Sequence, residues 1–278
     1  MFNTTRPNGK ARLFACAALA VLAAATWLRP ARADPCRTGP GEPVSVLRVT
    51  GDLEIVFADG RIARLAGIET SRPRGADPAR AAEAAADLAQ WIIGAPAEWR
   101  SSWPEPDRWG RTAGTLFLAG PEAGGLPSLA QALVEAGHAR VDPAGPAPPC
   151  LAALLAAEAR ARADQRGLWA DPAQAVLPGS DAAAFAGRAG QVALVEGRVV
   201  SVRESRGRVY VNFGGRGDPA LVLTRQQARA LERAGRPPSA WAGRLVRARG
   251  MVEMRPAGPR FLPGAVEGIE VAAGQAAR

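Results

Sequence analysis

Short apolar runs separated by turn residues fill the first part of the chain and constrain its fold more than any other feature. Three such runs, at residues 44–49, 53–57 and 62–68, are separated by Gly51 and by Asp59-Gly60. Runs of this length bounded by glycine and aspartate are typical of β-strands joined by tight turns. The pattern therefore predicts a three-stranded β-meander.

Helices and further strands are predicted downstream of the meander. An Ala-rich helix is expected to begin at Asp77-Pro78, because proline suits the first turn of a helix, and to run to about Ile93 before Gly94 ends it. Further strands are predicted at 97–102 and 112–119, and further helices at 126–136 and 151–165. Five strands with three helices predict a small, mainly β barrel with a helical cover.

A second barrel is predicted beyond residue 187. Strand-like runs lie at 192–202, 208–213, 220–223, 245–253 and 266–271. Thr224 with Gln227 fits a capping box for a helix at 225–234. This order of strands around one helix is that of an OB-type barrel. Residues 173–187 are rich in Ala, Gly and Pro, so we interpret them as a linker between domains at 34–172 and 188–273.

The first 33 residues have the features of an export signal. Three basic residues, Arg6, Lys10 and Arg12, precede an apolar run at 13–28, and Ala31-Arg32-Ala33 offers small residues for cleavage. The run is about sixteen residues long, short of the roughly 20 that a spanning helix needs. We therefore expect a signal peptide at 1–33, a periplasmic or secreted protein, and no membrane contact beyond the signal. An uncleaved anchor and a lipoprotein signal at Cys16 are the alternatives.

Cleavage would change the net charge, which is +9 for the whole chain. Residues 1–33 hold five of the 35 basic side chains and none of the 26 acidic ones, so the mature chain would carry about +4. Lys10 is the sole lysine, and the remaining basic residues are arginines, which suit bidentate phosphate contact. A GC-rich genome would produce the same arginine bias, so both explanations stay open.

Cleavage would also remove Cys16 and leave Cys36 and Cys150. An even pair of cysteines in an oxidising compartment predicts a disulfide, with two free thiols as the alternative. The tryptophans at positions 91, 99, 109, 169 and 241 are predicted to be core residues. His138, the single histidine, follows a predicted helix and is expected to cap it rather than to act in a catalytic triad.

Four motifs occur in order between residues 44 and 172. They are Val49-Thr50-Gly51-Asp52-Leu53 with the stretch 59–70, Asp107-Arg108-Trp109-Gly110-Arg111, the stretch 133–141, and Ala157-Glu158-Ala159-Arg160 with Gly167-Leu168-Trp169. Together they resemble the staphylococcal nuclease (thermonuclease) family. The resemblance implies an SNase-like OB-type five-stranded barrel with three helices, followed here by the second OB-like barrel. It also implies phosphodiester hydrolysis in DNA or RNA, with calcium, two arginines and a water-activating glutamate.

The resemblance assigns a role to individual residues. Arg64 and Arg111 stand at the two arginine positions, so we expect them to be the catalytic, phosphate-contacting pair. The calcium-ligand positions are held by Asp52, by Glu69, where the family has an aspartate, and by Thr70.

Arg72 stands at the position of the catalytic glutamate. Loss of a general base costs about 10²- to 10⁴-fold in rate. Unit charges about 5 Å apart at an effective dielectric of 20 interact by roughly 3 kcal/mol, so an inward guanidinium would oppose calcium. We therefore expect phosphate binding by Arg64, Arg72 and Arg111 with weak or absent hydrolysis, and calcium binding stays open. An active calcium-dependent nuclease and a non-catalytic protein-interaction or envelope scaffold are the alternatives.

The second barrel carries arginines and an aromatic residue on its predicted strands. Arg208 and Tyr210 share one strand, and Arg247 and Arg249 alternate on another, so each pair faces one side of the sheet. Basic strands with aromatic residues on an OB-type barrel are typical of single-stranded DNA or RNA binding. We expect Arg208, Tyr210 and Arg247 to contact the substrate, and a purely structural barrel is the alternative.

Overall fold

The computed structural model describes Met1 and residues 34–69, 78–103, 105–118, 127–146 and 148–272. The predicted signal peptide, Thr70 and Arg72 lie outside these ranges. Residues Asp34–Arg278 form one compact unit. Within the described ranges, no helix has the length and apolar character needed to cross a membrane.

The chain is mainly β, with four α-helices in the described part. The strands are β1 (Glu42–Val44), β2 (Val46–Val49), β3 (Ile55–Phe57), β4 (Ile62–Leu65), β5 (Ile68–Glu69), β6 (Ala97–Ser101), β7 (Arg111–Leu118), β8 (Arg140–Val141), β9 (Leu177–Pro178), β10 (Val192–Arg198), β11 (Ser201–Ser205), β12 (Arg208–Asn212), β13 (Ala220–Thr224), β14 (Leu245–Glu253), β15 (Arg260–Leu262) and β16 (Glu270–Val271). The helices are α1 (Pro78–Ile92), α2 (Leu129–Ala136), α3 (Pro148–Ala163) and α4 (Arg225–Arg233).

The first sheet is curled and has six strands in the order β1-β6-β7-β4-β3-β2. Neighbours are antiparallel except β4 and β7, which run parallel. β5 and β8 form a separate two-stranded ladder. Strands and three helices are present where they were predicted, with somewhat different bounds. Two of the predicted strands are each divided into two. The run at 44–49 breaks at Ser45, and the run at 62–68 breaks at Gly67, whose φ of +80° turns the chain between β4 and β5.

Helices cover the inner face of the first sheet. Phe57 and Trp99 meet edge to face with ring centroids 5.5 Å apart, and Leu88, Leu133 and Leu154 bring one fully buried side chain from each of α1, α2 and α3. Burial of a large apolar side chain contributes about 1.5–3 kcal/mol, so these contacts hold the helices on the sheet.

A disulfide joins Cys36 to Cys150 and confirms the predicted pairing. Both cysteines are buried in the first core. The bond ties the segment before β1 to the first turn of α3 across 114 residues of sequence.

The second sheet has the strand order β11-β12-β13-β15-β14-β10-β9, with β16 beside β14. It is barrel-like, and its OB-type topology stays a prediction. The capping box predicted for α4 is confirmed, since Thr224 and Gln227 each accept the other's backbone N–H. β15 is an added strand: Arg260–Leu262 runs parallel to β13 and antiparallel to β14. Of the run predicted at 266–271, only β16 is a strand.

Residues 173–187, interpreted above as a linker, also contribute to the second core. They contain β9 and a short 3₁₀ helix at Ala182–Phe185. Leu177 is buried and Phe185 is fully buried, 6.4 Å from the ring centroid of Phe261. Small residues surround these two apolar positions in the sequence, so composition alone conceals their packing.

Candidate nucleic-acid interface

The parallel strands β4 and β7 bring Arg64 and Arg111 together. In the register of this pair, Arg64 lies opposite Ala113 and Ile62 lies opposite Arg111. Residues two apart on a strand share a face, so both arginines lie on the same face of the sheet. Both line a pocket of about 320 Å³, together with Trp103, Glu105, Asp107 and Ala113. We call it the arginine pocket.

Two carboxylates hold the Arg111 guanidinium in place. Its Nε and Nη2 donate to Oδ2 of Asp107 at 2.9 and 2.8 Å, and its Nη1 donates to Oε1 of Glu54 at 2.7 Å. Oδ1 of Asp107 also accepts the backbone N–H groups of Trp109 and Arg111. Arg111 is therefore well positioned, and its charge is compensated by Asp107 and Glu54.

Arg64 differs from Arg111 in its surroundings. Among the residues that the structure describes, its guanidinium has no ion pair or side-chain hydrogen bond. The Arg64 donors are thus available to an anion that enters the arginine pocket.

The contacts of Arg111 lower the pKa of Asp107 from its ordinary value of 3.8 to about 2. A lowered carboxyl pKa stabilises the fold at pH values above the ordinary one, and this contribution disappears as the pH falls through the folded value. We expect the Asp107 carboxyl to titrate near pH 2 when followed by carbon NMR. Replacing Arg111 by alanine should return the midpoint toward 3.8, and a wild-type midpoint near 3.8 would contradict the paired geometry.

Two exposed tryptophans flank the arginine pocket. Trp103 is 61% exposed and Trp109 is 60% exposed. The guanidinium carbons of Arg108 and Arg111 lie 4.0 and 4.6 Å from the Trp109 ring centroid, within cation–π range. The core placement predicted for Trp109 is therefore wrong, because the residue lies in the turn that ends at Gly110, at the surface. Trp99, Trp169 and Trp241 are buried as predicted.

Trp103, Asp107 and Glu54 were not among the predicted site residues. Trp103 precedes a proline and Trp109 precedes Gly110. Proline and glycine are typical of turns, where the chain runs along the surface, and this was the sequence signal for both tryptophans. The signal for Asp107 was its spacing of four residues before Arg111. Glu54 gave no local signal, because its partner is 57 residues away.

Two of the three predicted calcium-ligand positions, Asp52 and Glu69, lie in the described residues. Glu69 pairs in register with Arg140 and lines a cavity other than the arginine pocket. Burial raises the pKa of Glu69, which the nearby charge of Arg140 opposes. Asp52 lies in the exposed turn between β2 and β3, and Thr70 and Arg72 lie outside the described ranges.

No group of three or more His, Cys, Asp and Glu side chains in the described part of the chain has a metal-binding arrangement. Calcium takes 6–8 oxygen ligands, and the described carboxylates alone do not supply such a set.

The residues predicted in the second sheet fall into two separate places. Arg208 and Tyr210 share one face of β12, where Arg208 is exposed and Tyr210 is partly buried. Arg247 lies on β14, and two strands separate it from β12. Its guanidinium forms ion pairs with Glu196 and with Glu270. Arg247 is therefore part of a compensated charge network, and its contact with the substrate stays a prediction.

His138 lies at the end of α2, as predicted, but its side chain does not cap the helix. Its backbone N–H donates to the Leu133 carbonyl, and its ring Nε2 lies 2.8 Å from Oδ2 of Asp87 on α1. The ring thus links two helices.

Residues 63–171 match the family model described as Staphylococcal nuclease homologue. The match includes β4 and β7 and hence both arginines of the pocket. A search among curated proteins found no match.

Proposed function

We propose that the protein, whose residues 63–171 form a staphylococcal nuclease homologue domain, binds single-stranded DNA or RNA at the arginine pocket. We also propose that it cleaves the strand weakly or not at all. The observation that carries this proposal is the combination of Arg64 and Arg111 with the exposed rings of Trp103 and Trp109.

Each part of this surface suits one part of a nucleic acid strand. The Arg64 guanidinium offers charged N–H donors to phosphate oxygens, which accept strong, short hydrogen bonds. Arg111 is positioned beside it by Asp107 and Glu54. An exposed indole ring offers a stacking surface to any base, and such stacking contributes about 1–3 kcal/mol per base.

Three observations support weak or absent hydrolysis. Arg72 stands where the family has its catalytic glutamate. Glu69 lines a different cavity from the two arginines. The charge of Arg111 is already compensated by two carboxylates, so it has less free charge to stabilise a transition state.

Export is part of the proposal. The basic and apolar pattern of residues 1–33 supports a signal peptide. The Cys36–Cys150 disulfide supports an oxidising compartment, such as the periplasm or the exterior of the cell.

We expect Trp103→Ala to weaken binding of a single-stranded oligonucleotide by about tenfold, because one stacked base would be lost. Arg64→Ala should lower the salt dependence of the binding constant by about 0.7 in the log–log slope, the value for one phosphate contact on a single strand. Fluorescence anisotropy with a labelled oligonucleotide measures both. The exposed Arg229 on α4 provides a charge-matched control, and Arg229→Ala should leave both quantities unchanged.

The hydrolysis part of the proposal is tested by release of acid-soluble nucleotides from DNA and RNA with added calcium. We expect little or no release. Robust turnover that disappears in Arg64→Ala and Arg111→Ala would instead establish an active nuclease. Absence of binding to single- and double-stranded nucleic acid at low salt would favour the protein-interaction or scaffold alternative.

A further inference from the structure

The strands β11, β12 and β13 of the second sheet turn one face to the core and the other outward. Val202, Val211 and Leu221 lie opposite one another in register and belong to the second core or pack against it. Because side chains alternate along a strand, the residues next to these three lie on the outer face. We define the hairpin face by its two rows in register, Arg203, Tyr210 and Val222, and then Ser205, Arg208 and Thr224.

The hairpin face is basic and contains no acidic side chain. Arg203 and Arg208 are exposed, and among the described residues neither side chain forms an ion pair or a hydrogen bond. Arg206 is also exposed, in the turn that joins β11 to β12. Glu204, the one acidic residue of this hairpin, lies 3.8 Å from Arg225 of α4. Three arginines against one paired glutamate leave the hairpin with a net positive charge.

Tyr210 gives the hairpin face an aromatic ring. This residue is the single tyrosine of the chain, and it is partly buried. Side chains directly opposite on neighbouring strands have Cβ atoms about 4.5–5.5 Å apart, so Arg203 flanks the ring on one side and Val222 on the other. Within the described ranges, the Tyr210 side chain has no hydrogen-bond partner and no ring contact. The exposed part of the ring is therefore available to a ligand.

Arginines beside an aromatic ring on an open sheet fit a single nucleic acid strand better than another polyanion. Guanidinium groups bind phosphate oxygens through charged hydrogen bonds, and the ring offers a stacking surface to a base. An acidic peptide would use the arginines but leave the ring without a partner. The arginine pocket differs in charge, because Glu105 and Asp107 line it together with its two arginines.

We propose that the hairpin face, with Arg206 at its tip, is a second site for single-stranded DNA or RNA. Phosphates contact Arg203, Arg206 and Arg208, and one base stacks on Tyr210. This site shares no residue with the arginine pocket, so it does not rest on nucleic-acid binding there.

Photo-cross-linking of the wild-type protein to an oligonucleotide that contains 5-iodouracil tests the proposal. Trypsin cuts after arginine, so Tyr210 lies in the peptide 209–216 and Trp103 of the arginine pocket lies in the peptide 101–108. We expect mass spectrometry to find cross-links on both peptides at low salt. Cross-links on 209–216 alone would support the hairpin face and not the arginine pocket. The absence of a cross-link on 209–216 would overturn the present proposal.

Fluorescence anisotropy over a salt series tests the arginines. Arg203→Ala combined with Arg208→Ala should lower the log–log slope of the binding constant by about 1.4, because each phosphate contact on a single strand contributes about 0.7. Arg160→Ala combined with Arg166→Ala removes the same charge from exposed positions in and just after α3, and should leave the slope unchanged. Equal changes in the two double variants would overturn the proposal, since binding would then follow net charge alone.

The stacking role of Tyr210 has its own pair of variants. Tyr210→Phe keeps the ring and should bind as the wild type does, whereas Tyr210→Leu should weaken binding about tenfold. An oligo-glutamate of equal charge should compete at least tenfold less well than an unlabelled oligonucleotide. Equal binding by the two tyrosine variants, or equal competition by the peptide, would overturn the proposal.

Discussion

Replacing Cys36 and Cys150 together by alanine is expected to lower the free energy of unfolding by about 4 kcal/mol. The crosslink closes a loop across 114 residues of sequence, and restriction of the unfolded chain by a loop of this size stabilises a fold by about 4–5 kcal/mol on the chain-entropy model. Both side chains are also buried in the first core. Equilibrium unfolding in urea measures the loss.

The control for this prediction is reduction of the wild-type protein. Reduced wild type should unfold at nearly the same urea concentration as the double variant, and the double variant should not respond to the reductant. A loss below about 1 kcal/mol would show that the crosslink leaves the unfolded chain little changed.

Glu158→Gln is expected to destabilise the fold by about 3 kcal/mol or more. Removal of one partner from a buried ion pair leaves uncompensated buried charge, which typically costs 3–5 kcal/mol. Here Arg162 and Arg249 would both lose their carboxylate, and each has a side chain only 10% exposed. Urea unfolding at neutral pH measures the effect.

Glu135→Gln is the matched control for that experiment. Glu135 also forms a pair with an arginine, Arg160, at 3.0 Å, but these side chains are 34% and 49% exposed. Exposed pairs contribute about 0–1 kcal/mol, so this variant should stay within 1 kcal/mol of wild type. Similar losses in the two variants would contradict the assignment of Glu158 to a buried network.

Local turn and capping signals in the sequence identified most of the elements. The helix at Pro78, the capping box of Thr224 with Gln227, and the strand at 245–253 all agree with the structure, because each depends on neighbouring residues. β15 was missed, since Arg260–Leu262 is short and its pairing with β13 and β14 depends on residues far away in the sequence.

Only part of the arginine pocket could be predicted from the sequence. Motif spacing placed Arg64 and Arg111 together, and the parallel pairing of β4 with β7 agrees with that expectation. The exposure of Trp109 was not predicted, because an apolar aromatic residue is more often buried and the motif gives no indication of solvent contact.

The contact between the two sheets could not be predicted from the sequence. Alternation correctly put Arg247 and Arg249 on one face of β14, but it could not show that Arg249 of this face contacts Glu158 of α3. In the same way, the position of Glu69 in the motif could not show that the residue pairs in register with Arg140 and lines a cavity other than the arginine pocket. A contact between residues far apart in the sequence leaves no periodic pattern in either of the two segments.

The most direct test of the central claim is the fluorescence anisotropy of a labelled single-stranded oligonucleotide, followed over time with the protein and calcium at low salt. The account predicts a rise in anisotropy that persists, falls as salt is added, and is weaker in Arg64→Ala and Trp103→Ala. A rise that decays as the oligonucleotide is cut, or no rise at all, would contradict it.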